Sequence, residues 1–177
     1  MNKKLKLWEL DRLSEEAFKK QKKFPISIVL DDIRSLNNIG SFFRTADAFN
    51  ISKVYLCGIT AQPPHRDIHK TALGATNSVK WEYHSDIVSL VKDLKKEGKT
   101  ICAIEQTENT IMLNHIDSLQ TDHVVLVFGN EVNGVNQEVV NGSNEVIEIP
   151  QFGTKHSLNV SVCAGIVLWE FTKKHIP

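Results

Sequence analysis

Short apolar runs alternate with amphipathic stretches along the chain. The runs have the length, and most of them the β-branched composition, of strands, and they lie at residues 26–30, 54–58, 78–83, 101–105, 124–129 and 146–150. Apolar residues recur at helical spacing in other segments, at residues 7–22, 38–49, 66–73, 85–99 and 135–141. This alternation predicts an α/β fold with a mostly parallel sheet and helices on both faces. In segment 85–99, Ser85 is the predicted N-cap and Gly98 the predicted stop.

Composition favours one compact domain. The chain has 177 residues, of which 41% are hydrophobic and 24% charged, so it can fill one core but is too short for two typical domains. It contains no apolar run long enough to span a bilayer, and its first residues lack the apolar core and cleavage site of a secretory signal. We therefore expect a cytoplasmic protein without a membrane-spanning segment.

Charge is unevenly distributed although the formal net charge is zero. Residues 1–24 carry eight basic and four acidic side chains, whereas the remainder carries 13 basic and 17 acidic. We interpret residues 1–24 as a basic helical extension. Its lysines suit contact with a polyanion, and they equally suit the C-terminal end of a helix.

Cysteine and histidine spacing gives no metal site. The three cysteines, Cys57, Cys102 and Cys163, are widely spaced and form no C-x-x-C pair, which favours buried free thiols. His65 and His69 have the spacing of a helical metal pair, but no cluster of carboxylates or cysteines completes the site. We predict that the protein binds no metal.

Three polar loops follow predicted strands, at the edge where α/β sheets bind ligands. Their sequences are "DDIRSLNNIGSFFRTADAF" from residue 31, "GNEVNGV" from residue 129 and "QFGTKHSLN" from residue 151. Taken singly, each could form ordinary turns, and Ser157 could be only a helix cap. No G-x-G-x-x-G follows a strand and no G-x-x-x-x-G-K-[ST] is present, which disfavours a dehydrogenase or a P-loop enzyme.

Together the three loops resemble the motifs of one known family. In chain order, the matching residues are Asn38, Gly40 and Arg44; Gly129, Glu131 and Gly134; and Ile149, Pro150, Gly153, Ser157, Leu158 and Asn159. These are similar to the motifs of the SpoU (TrmH-type) RNA ribose 2′-O-methyltransferases of the SPOUT superfamily, over about residues 25–172. Gln151 departs from the family pattern, which often has Met there.

The resemblance implies a fold and a set of partners. Residues 25–177 would form a SPOUT methyltransferase domain whose C-terminal segment makes a deep trefoil knot, an exception to the rule that chains are unknotted. The cofactor would be S-adenosylmethionine, and the substrate RNA, either tRNA or rRNA. The basic stretch with Arg66 and Lys70 would then be an RNA-facing loop, although a merely solvated loop remains an alternative.

The resemblance also implies site residues. Cofactor binding would fall to Phe128, Gly129, Asn130, Gly134, Ile149, Pro150, Gln151, Ser157 and Leu158. Catalysis would fall to Arg44, Asn38, Glu131, Ser157 and Asn159. Arg44 would act at the ribose 2′-hydroxyl in the neighbouring subunit; because a guanidinium stays protonated, we expect it to bind phosphate and the developing alkoxide. Glu131 would hold Arg44 or the substrate, or it is only a solvated acid.

The C-terminal segment "LNVSVCAGIVLWEF" is apolar around most of a helical circumference. Such a helix must be buried on several sides. The resemblance implies that a second subunit covers part of it, and hence a homodimer; the alternative is a helix buried entirely within its own chain. A non-catalytic RNA-binding or cofactor-sensing protein of the same fold is the alternative to an enzyme.

Overall fold

A computed structural model describes residues 1–119 and 121–176. It contains a seven-stranded sheet with the strand order β3-β2-β1-β6-β4-β7-β5. Each adjacent pair of these strands is parallel, as the sequence pattern predicted. The strands are β1 (Phe24–Asp31), β2 (Ile51–Cys57), β3 (Trp81–His84), β4 (Thr100–Ile104), β5 (Ile111–Met112), β6 (Val124–Phe128) and β7 (Glu145–Glu148).

The helices connect the strands. They are α1 (Glu15–Lys20), α2 (Leu36–Ala48), α3 (Arg66–Ala72), α4 (Ala75–Ser78), α5 (Ile87–Lys96), α6 (Gln137–Gly142) and α7 (Val160–Thr172), with short 3-10 helices at Leu7–Glu9, Leu113–Ser118 and Lys173–His175. Within the described ranges, no helix is both long enough and apolar enough to cross a membrane.

Core residues lie on both faces of the sheet because successive side chains of a strand point to opposite sides. On one face, Phe42 of α2 packs edge-on against Phe128 of β6 with ring centroids 5.2 Å apart, and α7 joins the same cluster. On the other face, Val29 of β1 and Val125 of β6 belong to a second cluster with α5 and α6. The prediction of helices on both faces is confirmed.

Several local predictions need correction. The run 78–83 becomes strand only at Trp81, since Ala75–Ser78 forms a helical turn. The N-cap of α5 is Asp86, whose carboxylate accepts hydrogen bonds from the N–H groups of Val88 at 2.9 Å and Ser89 at 3.2 Å. The prediction of Ser85 as the cap is therefore wrong. Gly98 has a φ of 81°, a left-handed conformation that suits the predicted stop.

The continuous leading helix predicted at residues 7–22 is also wrong. A 3-10 turn, Leu7–Glu9, and the helix α1 are separated by a segment in which Asp11 has a left-handed φ of 47°. The hydroxyl of Ser14 then accepts the N–H of Ala17 and begins α1. Of the residues in these two helices only Phe18 is buried, so the earlier turn lacks the core contacts that hold short helices.

Candidate functional site

A cavity of about 410 Å³ lies at the carboxyl edge of β4, β6 and β7. The loops that follow these strands and the start of α7 enclose it, as expected for an α/β sheet. Its lining includes Phe128, Gly129, Asn130, Gly134, Ile149, Gln151, Ser157 and Leu158 from the predicted cofactor set, but not Pro150. Sequence reasoning missed Glu105, Gln106 and Cys163, which line the same cavity but belong to none of the three motif patterns that pointed to the site.

The loop after β6 folds back on itself. A Cβ at Gly129 would lie 2.0 Å from the carbonyl carbon of Gly134 and 2.1 Å from the nitrogen of Val135, so only glycine permits this turn. The side-chain oxygen of Asn130 accepts the N–H groups of Val132 at 2.9 Å and Asn133 at 2.8 Å. The backbone of the loop itself therefore requires glycine at position 129, whether or not a ligand is bound.

Two carboxylates at the ends of the strands on either side of β6 accept hydrogen bonds from the residues at the end of this loop. Glu105, directly after β4, accepts the N–H of Val135 at 2.8 Å, and Asp31 at the end of β1 accepts the N–H of Asn136 at 2.7 Å. Burial raises the pKa of the Asp31 carboxyl, and the hydrogen bond from Asn136 opposes part of that rise. The loop therefore depends on side chains that are distant in sequence.

Three of the predicted catalytic residues meet at the rim of the cavity. Asn38, in the first turn of α2, donates to the Glu131 carboxylate at 2.6 Å, and Asn159 donates to the side-chain oxygen of Asn38 at 3.3 Å. Asn159 also caps α7, because its oxygen accepts the N–H groups of Ser161 and Val162. The suggested capping role thus belongs to Asn159, while Ser157 faces the cavity.

Arg44 lies elsewhere. It is exposed on α2 and lines a separate cavity of about 690 Å³ together with Arg12 and Leu13 of the N-terminal segment. Within the described residues, its guanidinium makes no hydrogen bond or ion pair. The suggested contact between Glu131 and Arg44 is absent within one chain, since Glu131 accepts from Asn38 instead.

The last helix is not buried entirely within its own chain. Val167 and Leu168 are fully buried, but Val162 is 53%, Ile166 41% and Trp169 53% exposed. These three lie at spacings of four and three residues, so they form one stripe along α7. We call Val162, Ile166 and Trp169 the α7 stripe; its exposure contradicts the alternative of a helix buried entirely within its own chain.

The cysteines are free thiols, and His65 caps a helix. Burial raises the pKa of each of the Cys57, Cys102 and Cys163 thiols to about 12, and all three are free. His65 stands at the N-cap of α3 and accepts the N–H of Asp67, so it does not pair with His69 on one helical face. In residues 1–119 and 121–176, no group of three or more potential ligands could hold a metal ion.

Comparisons with known proteins point to one family. The sequence profile of the SpoU rRNA Methylase family matches residues 25–169. A tRNA (guanosine(18)-2′-O)-methyltransferase of Aquifex aeolicus is 33% identical over 165 residues, which are 91% of this chain and 74% of that protein. The 23S rRNA (guanosine-2′-O-)-methyltransferase RlmB of Neisseria meningitidis is 29% identical over 86% of this chain and 60% of its own length.

Two solved structures have a fold similar to that of this chain. The A. aeolicus TrmH/SpoU tRNA modifying enzyme has a TM-score of 0.79 and 25% identity, covering 89% of this chain and 79% of that one. The AdoMet-bound rRNA methyltransferase from Sinorhizobium meliloti also has a TM-score of 0.79 and 25% identity, covering 90% of this chain and 60% of its own. The profile covers most of the chain and the Aquifex relative aligns with most of both sequences, so this protein belongs to the SpoU rRNA Methylase family.

Proposed function

We propose that the protein is an S-adenosylmethionine-dependent RNA methyltransferase that methylates a ribose 2′-hydroxyl of tRNA or rRNA. The observation that carries the proposal is the cavity at the carboxyl edge, with Asn38, Glu131 and Asn159 joined at its rim. The names of the Aquifex and Neisseria relatives, both guanosine 2′-O-methyltransferases, support it. This chain spans only 60% of the Neisseria enzyme, so the choice of RNA is left at the level of class.

The cavity fits the cofactor. Its volume of about 410 Å³ falls in the range of small-molecule sites, roughly 300 to 1,000 Å³. Phe128, Ile149 and Leu158 provide apolar lining, and the glycine-containing loop at residues 129–134 exposes backbone groups that can bind an adenine. We assign the nine predicted cofactor residues to this role, with Pro150 acting by shaping the loop rather than by lining the cavity.

When bound, S-adenosylmethionine would supply a methyl group on a sulfonium; transfer to the 2′-oxygen would leave the electron pair of the broken carbon–sulfur bond on sulfur and release the hydroxyl proton to phosphate or water. The protein must therefore position the 2′-oxygen and stabilise the negative charge that develops on it. Arg44 can do this because its guanidinium is exposed and, within residues 1–119 and 121–176, makes no hydrogen bond or ion pair. Asn38 donates to Glu131 and Asn159 donates to Asn38, which orders these three groups. Ser157 lines the cavity, and we assign it to orienting the target nucleotide.

A homodimer completes the proposed site. The α7 stripe is a partly exposed apolar surface, and one of its residues, Trp169, packs against Phe49 directly after α2 with ring centroids 6.2 Å apart. The α7 stripe and α2, the helix that carries Arg44, therefore lie next to each other. A second copy on this surface would place Arg44 of one chain beside the cavity of the other. The trefoil knot, the boundary at residue 24 and a cytoplasmic location are parts of the same proposal.

Methyl transfer from radiolabelled S-adenosylmethionine to bulk RNA tests the proposal. We expect label in RNA, and nuclease digestion followed by mass spectrometry should locate it on a ribose. Label on a base would contradict ribose methylation. Binding of cofactor and RNA without transfer would favour the alternative, a non-catalytic RNA-binding or cofactor-sensing protein.

A further inference from the structure

The cofactor cavity carries an excess of negative charge. Among the described residues, its lining includes Glu105, Glu131 and Glu148 and no lysine, arginine or histidine. In the same part of the chain, the three carboxylates accept hydrogen bonds from neutral groups only: two backbone N–H groups at Glu105, the Asn38 amide at Glu131, and the Thr110 hydroxyl at Glu148 at 3.2 Å. Among the described residues, none of the three forms an ion pair.

Glu105 has the most constrained position of the three. Its two oxygens accept the N–H of Val135 at 2.8 Å and of Gln106 at 3.1 Å. One of them lies 2.1 Å from the point that a Cβ of Gly134 would occupy, so glycine leaves room for the carboxylate. Its charge also adds to the rise in the pKa of Cys163, on α7, which burial causes in the main. Glu105 is thus held half-buried between the loop after β6 and the last helix.

We infer that Glu105 makes the cavity discriminate between the two forms of the cofactor by charge, binding the cationic S-adenosylmethionine in preference to S-adenosylhomocysteine. This inference rests on the proposed function. The two forms share every group except the sulfonium methyl, whose loss lowers the net charge from +1 to zero. A half-buried carboxylate interacts with a cation more strongly than one in water, because the local dielectric constant is lower. Glu105 therefore favours loading of fresh cofactor and release of the used form.

The decisive variant is Glu105→Gln, which keeps the size and one acceptor oxygen but removes the charge. By isothermal calorimetry, we expect the affinity for S-adenosylmethionine to fall about 10-fold, a change of about 1.4 kcal/mol, while that for S-adenosylhomocysteine changes less than about 2-fold. Sinefungin, in which a protonated amine replaces the sulfonium, should lose affinity as S-adenosylmethionine does. Glu138→Gln, an exposed change of equal charge on α6, should alter none of the three affinities.

The wild-type protein provides a second measurement that does not depend on a variant. Between about 0.05 and 0.5 M salt, screening should lower the ratio of the S-adenosylmethionine and S-adenosylhomocysteine affinities only partly, because a half-buried pair is screened less than an exposed one. Equal losses for all three ligands in Glu105→Gln, or no loss, overturn the inference. If only the ratio responds to salt, discrimination by charge stands but belongs to Glu131 or Glu148, and the role of Glu105 is rejected. Failure of the wild-type protein to bind any of the ligands would instead reject the proposed function.

Discussion

Asn38 joins three chain segments at the rim of the cavity through a single amide group. It donates to Glu131 in the loop after β6 and accepts from Asn159 at the start of α7, while its own backbone belongs to α2. The residue is only 9% exposed, so water does not compete freely for these contacts. At the residue scale, this amide sets the relative positions of the proposed catalytic groups.

Asn38→Asp should give a stability that depends on pH. The new carboxylate would face Glu131 across the 2.6 Å contact, and because two close carboxylates cannot both ionise easily, the folded-state pKa of the pair rises above the unfolded value. A raised carboxyl pKa contributes stability that is present at low pH and lost as the pH rises through it. By urea denaturation, we expect the variant to lose about 1–3 kcal/mol more at pH 8 than at pH 4.

The matched control for that change is Asn37→Asp, one residue earlier on α2 and exposed. It adds the same charge near the same helix N-terminus without facing Glu131, so its stability should stay within about 0.5 kcal/mol of the wild type. An Asn38→Asp protein with the same pH profile as this control would refute the assigned contact.

Arg44→Lys and Arg44→Ala should separate catalysis from cofactor binding. Lysine keeps the charge but loses the planar fork that grips phosphate and hydroxyl together, so methyl transfer should fall, and alanine should lose on the order of 10² or more in rate. Calorimetry should give wild-type affinity for S-adenosylmethionine in both variants, because Arg44 does not line the cavity. Wild-type rates in Arg44→Ala would remove the arginine from the mechanism.

At the element scale, the loop at residues 129–136 is the part of the site most sensitive to backbone change. Its turn brings the backbone at Gly129 close to the backbone at Gly134. The carboxylates at the end of β1 and directly after β4 accept hydrogen bonds from its last residues. The helix α1, in contrast, is attached by few buried residues, with only Phe18 in the core. The two elements are therefore expected to respond very differently to substitution.

Gly129→Ala should disrupt cofactor binding. The added Cβ would overlap the backbone at Gly134 and Val135, which forces the loop to move. Calorimetry should detect a loss of S-adenosylmethionine affinity of at least about 10-fold, with a lower midpoint of thermal unfolding. Gly153→Ala, in the loop after β7, is the control, because a Cβ there meets nothing within 4 Å. Unchanged affinity in a folded Gly129→Ala protein would contradict the assigned pocket.

Lys23 should make the attachment of α1 depend on pH. Its amine lies over the Phe18 ring, 3.0 Å from the centroid, without a hydrogen-bond partner in the described chain, and burial lowers its pKa to about 8. Between pH 8 and the pKa of about 10.4 of an unperturbed lysine, the unfolded chain binds more protons than the folded protein, so stability should rise with pH. In urea denaturation, Lys23→Met should abolish that rise, whereas Lys22→Met, at an exposed neighbour, should retain it. The same rise in both variants would contradict this assignment.

At the scale of the whole molecule, the α7 stripe is the surface on which the proposed dimer depends. The buried neighbours Val167 and Leu168 belong to the core of the single chain, so substitutions there test folding rather than assembly. The exposed residues of the stripe test assembly directly, because they contribute little to the core. This distinction follows from which side of α7 each residue occupies.

Ile166→Glu should produce a folded monomer. A carboxylate on the α7 stripe stays in water in the single chain but would be buried without a partner in the dimer, which is costly. Analytical ultracentrifugation should show the monomer, circular dichroism a wild-type fold, and methyl transfer a strong loss. Ile59→Glu, 63% exposed on another part of the surface, should leave the dimer intact. A stable Ile166→Glu dimer would place the interface elsewhere.

Mixing Arg44→Ala with Gly129→Ala tests whether the site combines two chains. In a mixed dimer, one site would carry both defects and the other neither, so part of the activity should return. An inactive mixture in which heterodimers are detected would indicate that the arginine serves its own chain.

The sequence by itself determined the fold class and about half of the residues that line the cavity. Strands β1, β2, β4, β6 and β7 were recognisable because buried parallel strands are continuous apolar runs, and the motif residues Gly129 and Ser157 follow two of them. The strand β5 was missed because two residues carry no periodicity, and the break in the leading helix was missed because periodicity does not report a left-handed residue such as Asp11.

Only the tertiary structure decided which distant groups meet. The contact from Asn38 to Glu131 joins residues 93 apart in sequence, and that from Asn38 to Asn159 joins residues 121 apart, separations at which local pattern carries no information. Packing also decided that Val167 faces the core while Ile166 faces outward, on a helix whose sequence is apolar on all sides. Only the tertiary structure likewise placed Glu105 at the cavity. The strand order puts β4 between β6 and β7 and so brings the end of β4 to the cavity.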